Sequence, residues 1–130
     1  MKIERLKQLS DLYGVSGYEE DVAAYIEANT DLPCRRDGLG SLLTRYDGDD
    51  PRFSLLVAAH MDEIGFVVKD ITEEGFLHLE MIGSIWLHVI LGQPFAVVTA
   101  AKKCYRGIIG SKGYHGMSKE YKERVVPMAA

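Results

Sequence analysis

Cysteine is scarce in this sequence, and the two that occur, Cys34 and Cys104, form no CxxC pair. That rules out a disulfide-stapled scaffold and a paired-cysteine redox or zinc motif. Long apolar runs are also missing. The longest are strand-sized, such as Phe53 to Ala59, far short of the roughly 20 residues a membrane helix needs. The opening Met1-Lys2-Ile3-Glu4-Arg5 mixes charges and has no apolar signal core. A cytoplasmic protein without membrane association is the expectation. An excess of positive charge is lacking too, since the net charge is −4 with both signs interspersed, which argues against a nucleic-acid partner. The one basic stretch, Lys102, Lys103, Arg106 and Lys112 near Tyr105 and Tyr114, is interleaved with apolar residues and reads as the solvated face of a strand. Repeats, low-complexity tracts and H-E-x-x-H are all absent.

What is present is an ordinary globular composition: 130 residues, 47% hydrophobic and 26% charged, enough for one domain or two small ones. Ile3, Leu6, Leu9 and Leu12 recur at helical spacing and predict an amphipathic helix. Ser16 with Glu19 fits a capping box opening a second helix through Val22, Tyr25 and Ile26 to about Asn29. Two short strands follow, Cys34 to Asp37 and Ser41 to Tyr46, punctuated by Pro33, Gly38 and Gly40. After the loop Gly48-Asp49-Asp50-Pro51 comes Phe53 to Ala59, whose unbroken apolar character predicts a strand buried on both faces of a parallel or mixed sheet. It runs into His60-Met61-Asp62-Glu63-Ile64-Gly65, and polar residues at the end of such a strand are where α/β sheets place ligand sites.

From Phe66 onward the pattern changes to short strands: Val67 to Ile71, Phe76 to Ile82, Pro94 to Ala100 and Tyr105 to Ile109, with Glu73-Glu74-Gly75 as a hairpin turn. No helix of useful length is expected before Ser118. The fold class read from this is α/β, a partial α/β domain over residues 1–67 followed by a small β-rich domain over 68–130. The terminal Val125-Val126-Pro127-Met128-Ala129-Ala130 is apolar to its last residue and reads as the approach to a further strand.

His60 and Asp62 are the candidate site residues. Positions two apart on an extended segment point to one side, so Asp62 can lie against the imidazole and orient it, as metal-ligating histidines require. The bare His-x-Asp string leaves a second reading open, a histidine hydrogen-bonded at a strand end with Asp62 and Glu63 solvated in a turn. His78 reads as a surface strand residue and His88, after Trp86, as a structural histidine, while His115 sits in a glycine-rich loop. A thiol hydrolase using Cys34 and His60 is a third reading; only Arg35 and Arg36 near Cys34 favour a thiolate.

Ala59-His60-Met61-Asp62-Glu63-Ile64-Gly65-Phe66 resembles the signature of the M42 family of metallo-aminopeptidases. Gly14-Val15-Ser16-Gly17-Tyr18-Glu19 resembles that family's opening helix junction, and Asp37-Gly38-Leu39-Gly40-Ser41 its strand-turn element, with serine where the family more often has asparagine. Gly92-Gln93 and Gly107-Ile108-Ile109-Gly110-Ser111-Lys112, followed by His115, resemble its inserted domain. That domain departs at Gly83-Ser84, usually two glycines, and at Gly113-Tyr114, usually prolines.

The resemblance implies an α/β catalytic domain interrupted by a β-rich dimerisation domain. It further implies two divalent metals, zinc or cobalt, and a water that attacks the first peptide bond of a short peptide. His60 would ligate one metal and Asp62 would support it. The bridging Asp, the general-base Glu and the remaining ligands would lie beyond the inserted domain. On this reading the chain is an N-terminal fragment, inactive alone, whose partners are a peptide substrate in the intact enzyme and further copies of itself through the β-rich part. The alternative is a non-catalytic assembly module.

Overall fold

Among the described residues every strand is short and pairs with its neighbour in sequence. A computed structural model describes residues 3–50, 52–111, 113–116 and 118–119. Its helices are α1, Ile3–Ser10, and α2, Glu20–Ala28. Its strands are β1, Cys34–Arg36; β2, Leu42–Thr44; β3, Gly65–Ile71; β4, Leu77–Ile82; β5, Pro94–Val98; and β6, Cys104–Ile108. They form three antiparallel pairs, β1 with β2, β3 with β4, and β5 with β6. Single 3₁₀ turns cover Leu87–Val89 and Tyr114–Gly116. The chain divides into two compact units, residues 1–83 and 84–130, and the boundary drawn near Val68 falls inside β3.

In the first unit, α2 supplies the core. Val22 and Ala23 are buried at 7% and 2% exposure. The helix ends where Asn29 turns back on it, its side-chain amide donating to the Tyr25 carbonyl at 2.9 Å, with Pro33 beyond to prevent continuation. Tyr25 also donates its hydroxyl to Gln8 of α1 at 2.7 Å. From β1, Arg36 reaches back across α2 to Glu20 and grips both oxygens of Glu27. A planar guanidinium suits that two-pronged contact.

The expected capping box does not form. Glu19 precedes α2 without any side-chain cap, and its carboxylate accepts the Gly17 N–H instead. Ser16 is turned away from the helix toward Asp62. A larger correction concerns Phe53 to Ala59. This segment belongs to no strand, and among the described residues it has no ladder partner. Phe53 and Leu56 are 71% and 89% exposed. A strand buried on both faces needs neighbours on each side and helices above and below, and the described residues do not surround it.

The two longer hairpins close with the same device. Thr72 N–H donates to the Phe76 carbonyl, Gly75 N–H to the Thr72 carbonyl, and Phe76 N–H to the Thr72 hydroxyl. Thr99, Lys102 and Lys103 repeat the pattern between β5 and β6. The residue before the last must be left-handed, which Gly75 (φ 86°) does freely and Lys102 (φ 58°) does against steric cost. The second unit buries Ile90 and ties Gly92 and Gln93 to Ile109 beyond β6. In it, Lys102, Lys103 and Arg106 are exposed, whereas Lys112 and the Val125 to Ala130 tail lie outside the described residues. No described helix is long and apolar enough to cross a membrane.

Gly65 opens β3 where Val15 leans against the backbone, and a Cβ there would sit 2.5 Å from Val15 Cγ2. Gly65→Ala is expected to destabilise the first unit by about 1–3 kcal/mol, the usual cost of overpacking. Gly48→Ala, where a Cβ meets open space, serves as the neutral control. Urea midpoints of the two variants check this, and equal midpoints would refute it.

Candidate functional site

The site is built where two segments far apart in sequence run side by side. Gly14 and Glu63 exchange two hydrogen bonds, the Glu63 N–H donating to the Gly14 carbonyl at 2.7 Å and the Gly14 N–H to Glu63 Oε1 at 3.1 Å. Val15 and Glu63 form an isolated parallel bridge. Two glycines permit this approach. A Cβ on Gly14 would meet Val22 Cγ2 at 2.8 Å, and Gly65 lies under Val15. Beyond the bridge, a turn closed by Tyr18 N–H on the Val15 carbonyl, with Gly17 at φ 86°, presents Ser16.

Asp62 links the two segments to His60. Its Oδ2 accepts the Ser16 hydroxyl at 2.5 Å, and its Oδ1 stands 3.1 Å from His60 Nδ1. The Asp62 carbonyl lies 2.9 Å from the same nitrogen. Both groups facing Nδ1 are acceptors, so Nδ1 carries the proton and the neutral ring keeps its lone pair on Nε2. The ring is 85% exposed. The Asp62 carboxyl is held below the usual carboxylate range chiefly by the Ser16 hydroxyl; desolvation opposes this, and the His60 side chain adds a lesser lowering.

Two clefts meet at His60. The larger, about 520 Å³, has a mostly apolar wall of Leu9, Leu12, Val22, Ile26, Leu42 and Met61, with Cys34 and His60 among its lining. The smaller, about 230 Å³, is more polar and is bordered by Glu19, Ser41, His60, Asp62 and the turn at Leu39 and Gly40. That turn is fixed by Asp37, whose Oδ1 accepts the N–H groups of Leu39 and Ser41 at 2.9 and 2.8 Å.

Sequence reasoning put Asp62 beside His60, and the two are neighbours. It overlooked Ser16, Gly14 and Glu63 as parts of the site, because helix-capping spacing gave Ser16 a local use. The other histidines stand elsewhere. His78 is exposed on β4 and pairs with Asp70 across the hairpin at 2.6 Å. His88 is exposed, edge-on to Trp86, rather than packed as a structural residue. His115 lies exposed in the Tyr114–Gly116 turn. Cys34 directs its thiol to the Leu32 carbonyl, and no hydrogen bond joins it to His60, so the thiol-hydrolase reading gains no support. Among the described residues, no three His, Cys, Asp or Glu side chains gather closely enough to hold a metal ion.

Comparison with known proteins identifies the family to which the fold belongs. An aminopeptidase of the archaeon Desulfurococcus kamchatkensis superposes with a TM-score of 0.79 at 32% identity, over 90% of this chain and 33% of its own. The TET1 peptidase of Pyrococcus horikoshii, described as assembling into a tetrahedron or a large octahedral shell, gives 0.76 at 34% identity over 96% of this chain and 37% of its own. FrvX of Escherichia coli K12, an aminopeptidase by name, is 36% identical over 128 residues, which is 95% of this chain and 35% of FrvX. Residues 40–129 match the model of the M42 glutamyl aminopeptidase family. The chain belongs to that family, and it spans about a third of the length of the relatives it matches.

The Asp37 turn gives a pH prediction. Its carboxyl is lowered first by the Ser41 N–H and then by the Leu39 N–H. A carboxyl lowered by folding adds stability above its unfolded pKa and loses it as pH falls through the folded value. The Leu39 and Ser41 amide resonances are therefore expected to hold constant through the normal carboxylate range and move only at more acidic pH. A midpoint at the ordinary aspartate value would contradict this.

Proposed function

We propose that this chain is the N-terminal part of a metal-dependent aminopeptidase that releases N-terminal residues from short peptides. In this reading His60 is a metal ligand through Nε2, and Asp62 serves the reaction by holding the ring. The supporting observation is the geometry at His60, whose Nδ1 faces the Asp62 carboxylate and carbonyl, an arrangement that leaves the lone pair of a neutral ring on Nε2. Histidines that ligate metals usually donate their second nitrogen to a carboxylate or carbonyl in this way.

The donor fits a divalent ion, zinc or cobalt, but is one member of a larger set. A catalytic zinc takes about three protein ligands and keeps a position open. A bound metal supplies the Lewis acidity that activates water and polarises the peptide carbonyl. What these residues contribute is narrower: an imidazole held against Asp62 at the mouth of a polar cleft. The remaining ligands and the general base would come from polypeptide outside residues 1–130, two metals per site in the intact enzyme. Residues 1–67 are assigned to the peptidase domain and 68–130 to an inserted β-rich domain. The 130-residue chain is then inactive alone. With added zinc or cobalt it is expected to show no hydrolysis of amino-acyl p-nitroanilides above the metal-only blank. Robust turnover removed by His60→Ala would overturn the inactivity.

A second reading, a non-catalytic assembly module, draws on the exposed Trp86, Val89, Tyr105 and Ile108 of the β-rich part. Apolar surface of this kind favours self-association, and the TET1 peptidase forms shells. Sedimentation of the chain is expected to show dimers or larger species. A monomer at every concentration counts against association through this part.

A further inference from the structure

We infer that Ser16 is a positioning residue for His60, acting through Asp62; this rests on the proposed metal-ligand role of His60. The torsion that turns a carboxylate about its last bond is broad and only weakly restrained by sterics. Asp62 is partly exposed, with 41% of its side chain accessible, so packing does not fix that torsion. Its two oxygens are instead held from opposite sides, Oδ2 by the Ser16 hydroxyl and Oδ1 by His60 Nδ1. Ser16 is itself held by main-chain bonds, the Val15–Glu63 bridge and the Tyr18-to-Val15 turn. The order of constraint therefore runs from backbone to hydroxyl to carboxylate to imidazole.

Without the hydroxyl, the carboxylate is free to rotate toward water. Nδ1 then keeps only the Asp62 carbonyl, a weaker partner than an ionised carboxylate. The ring loses part of its bias toward the Nδ1–H tautomer and part of its fixed orientation. Removing an outer partner of a metal-ligating histidine typically costs 10–100-fold in metal affinity. Ser16 stands one bond further out, so an effect of roughly tenfold or less is expected.

The experiment is ¹⁵N NMR of the His60 ring in the full chain at a pH where the ring is neutral, followed by titration with zinc. Ser16→Ala is expected to raise the fraction of Nε2–H tautomer and to shift the zinc titration of the ring to higher concentration. Ser16→Thr, which keeps the hydroxyl, is expected to restore both. Ser16→Cys, similar in size with a weak donor, carries the test if the alanine variant loses its dispersed amide spectrum. A ring whose tautomer ratio is the same in the wild type and in the folded Ala or Cys variant overturns the positioning role. A ring that responds to Ser16 in its tautomer yet ignores zinc in the wild type, even at concentrations that occupy free imidazole, supports the positioning and counts against the metal-ligand reading instead.

Discussion

The structure of the first unit depends on the seam between Gly14–Ser16 and Asp62–Gly65. It contains a two-way exchange between Gly14 and Glu63, a parallel bridge at Val15, and a side-chain bond from Ser16 to Asp62. These contacts join residues almost fifty positions apart. They are made possible by glycines where side chains would collide. Because Asp62 is part of the seam and also the partner of His60, the contact that organises the fold also orients the candidate ligand. Local geometry and site geometry are set together.

Next to this seam the chain is sparsely packed. Val22 and Ala23 are the only buried apolar residues among those described in the first unit. The apolar stretch leading into His60 has the composition of a central strand and the exposure of a loop. Its sequence encodes burial that the described residues do not provide, and relatives of about three times this length share the fold. In the proposed function that stretch finds its neighbours in polypeptide outside residues 1–130, the same polypeptide that would supply the remaining metal ligands.

How much was legible in the sequence depended on the range of the interactions. Both helices, the β3–β4 hairpin, the separate strands β5 and β6 and the adjacency of His60 and Asp62 were read from spacing within a few residues. Gly75 marked one hairpin turn; the matching turn at Lys102 went unread because no glycine signals it and Thr99 gives no conspicuous cue. Ser16 was misassigned for a related reason. A serine three residues before a glutamate satisfies a capping pattern, and nothing local reveals that its hydroxyl is committed to an aspartate far along the chain. The error over Phe53 to Ala59 was of another kind. Apolar composition reports what a segment is suited to, whereas pairing depends on partners that the segment itself does not contain.

The central claim is that the seam is a stable feature that holds Asp62 and His60 in place. Native-state hydrogen exchange at the Glu63 amide, the donor to Gly14, tests it most directly. If the seam is formed, that amide is expected to exchange as slowly as the paired amides of β3, and far more slowly than those of Leu55, Leu56 and Val57. Exchange of Glu63 at the rate of that open stretch would show that the seam is not held, and the orientation of His60 would lose its physical basis.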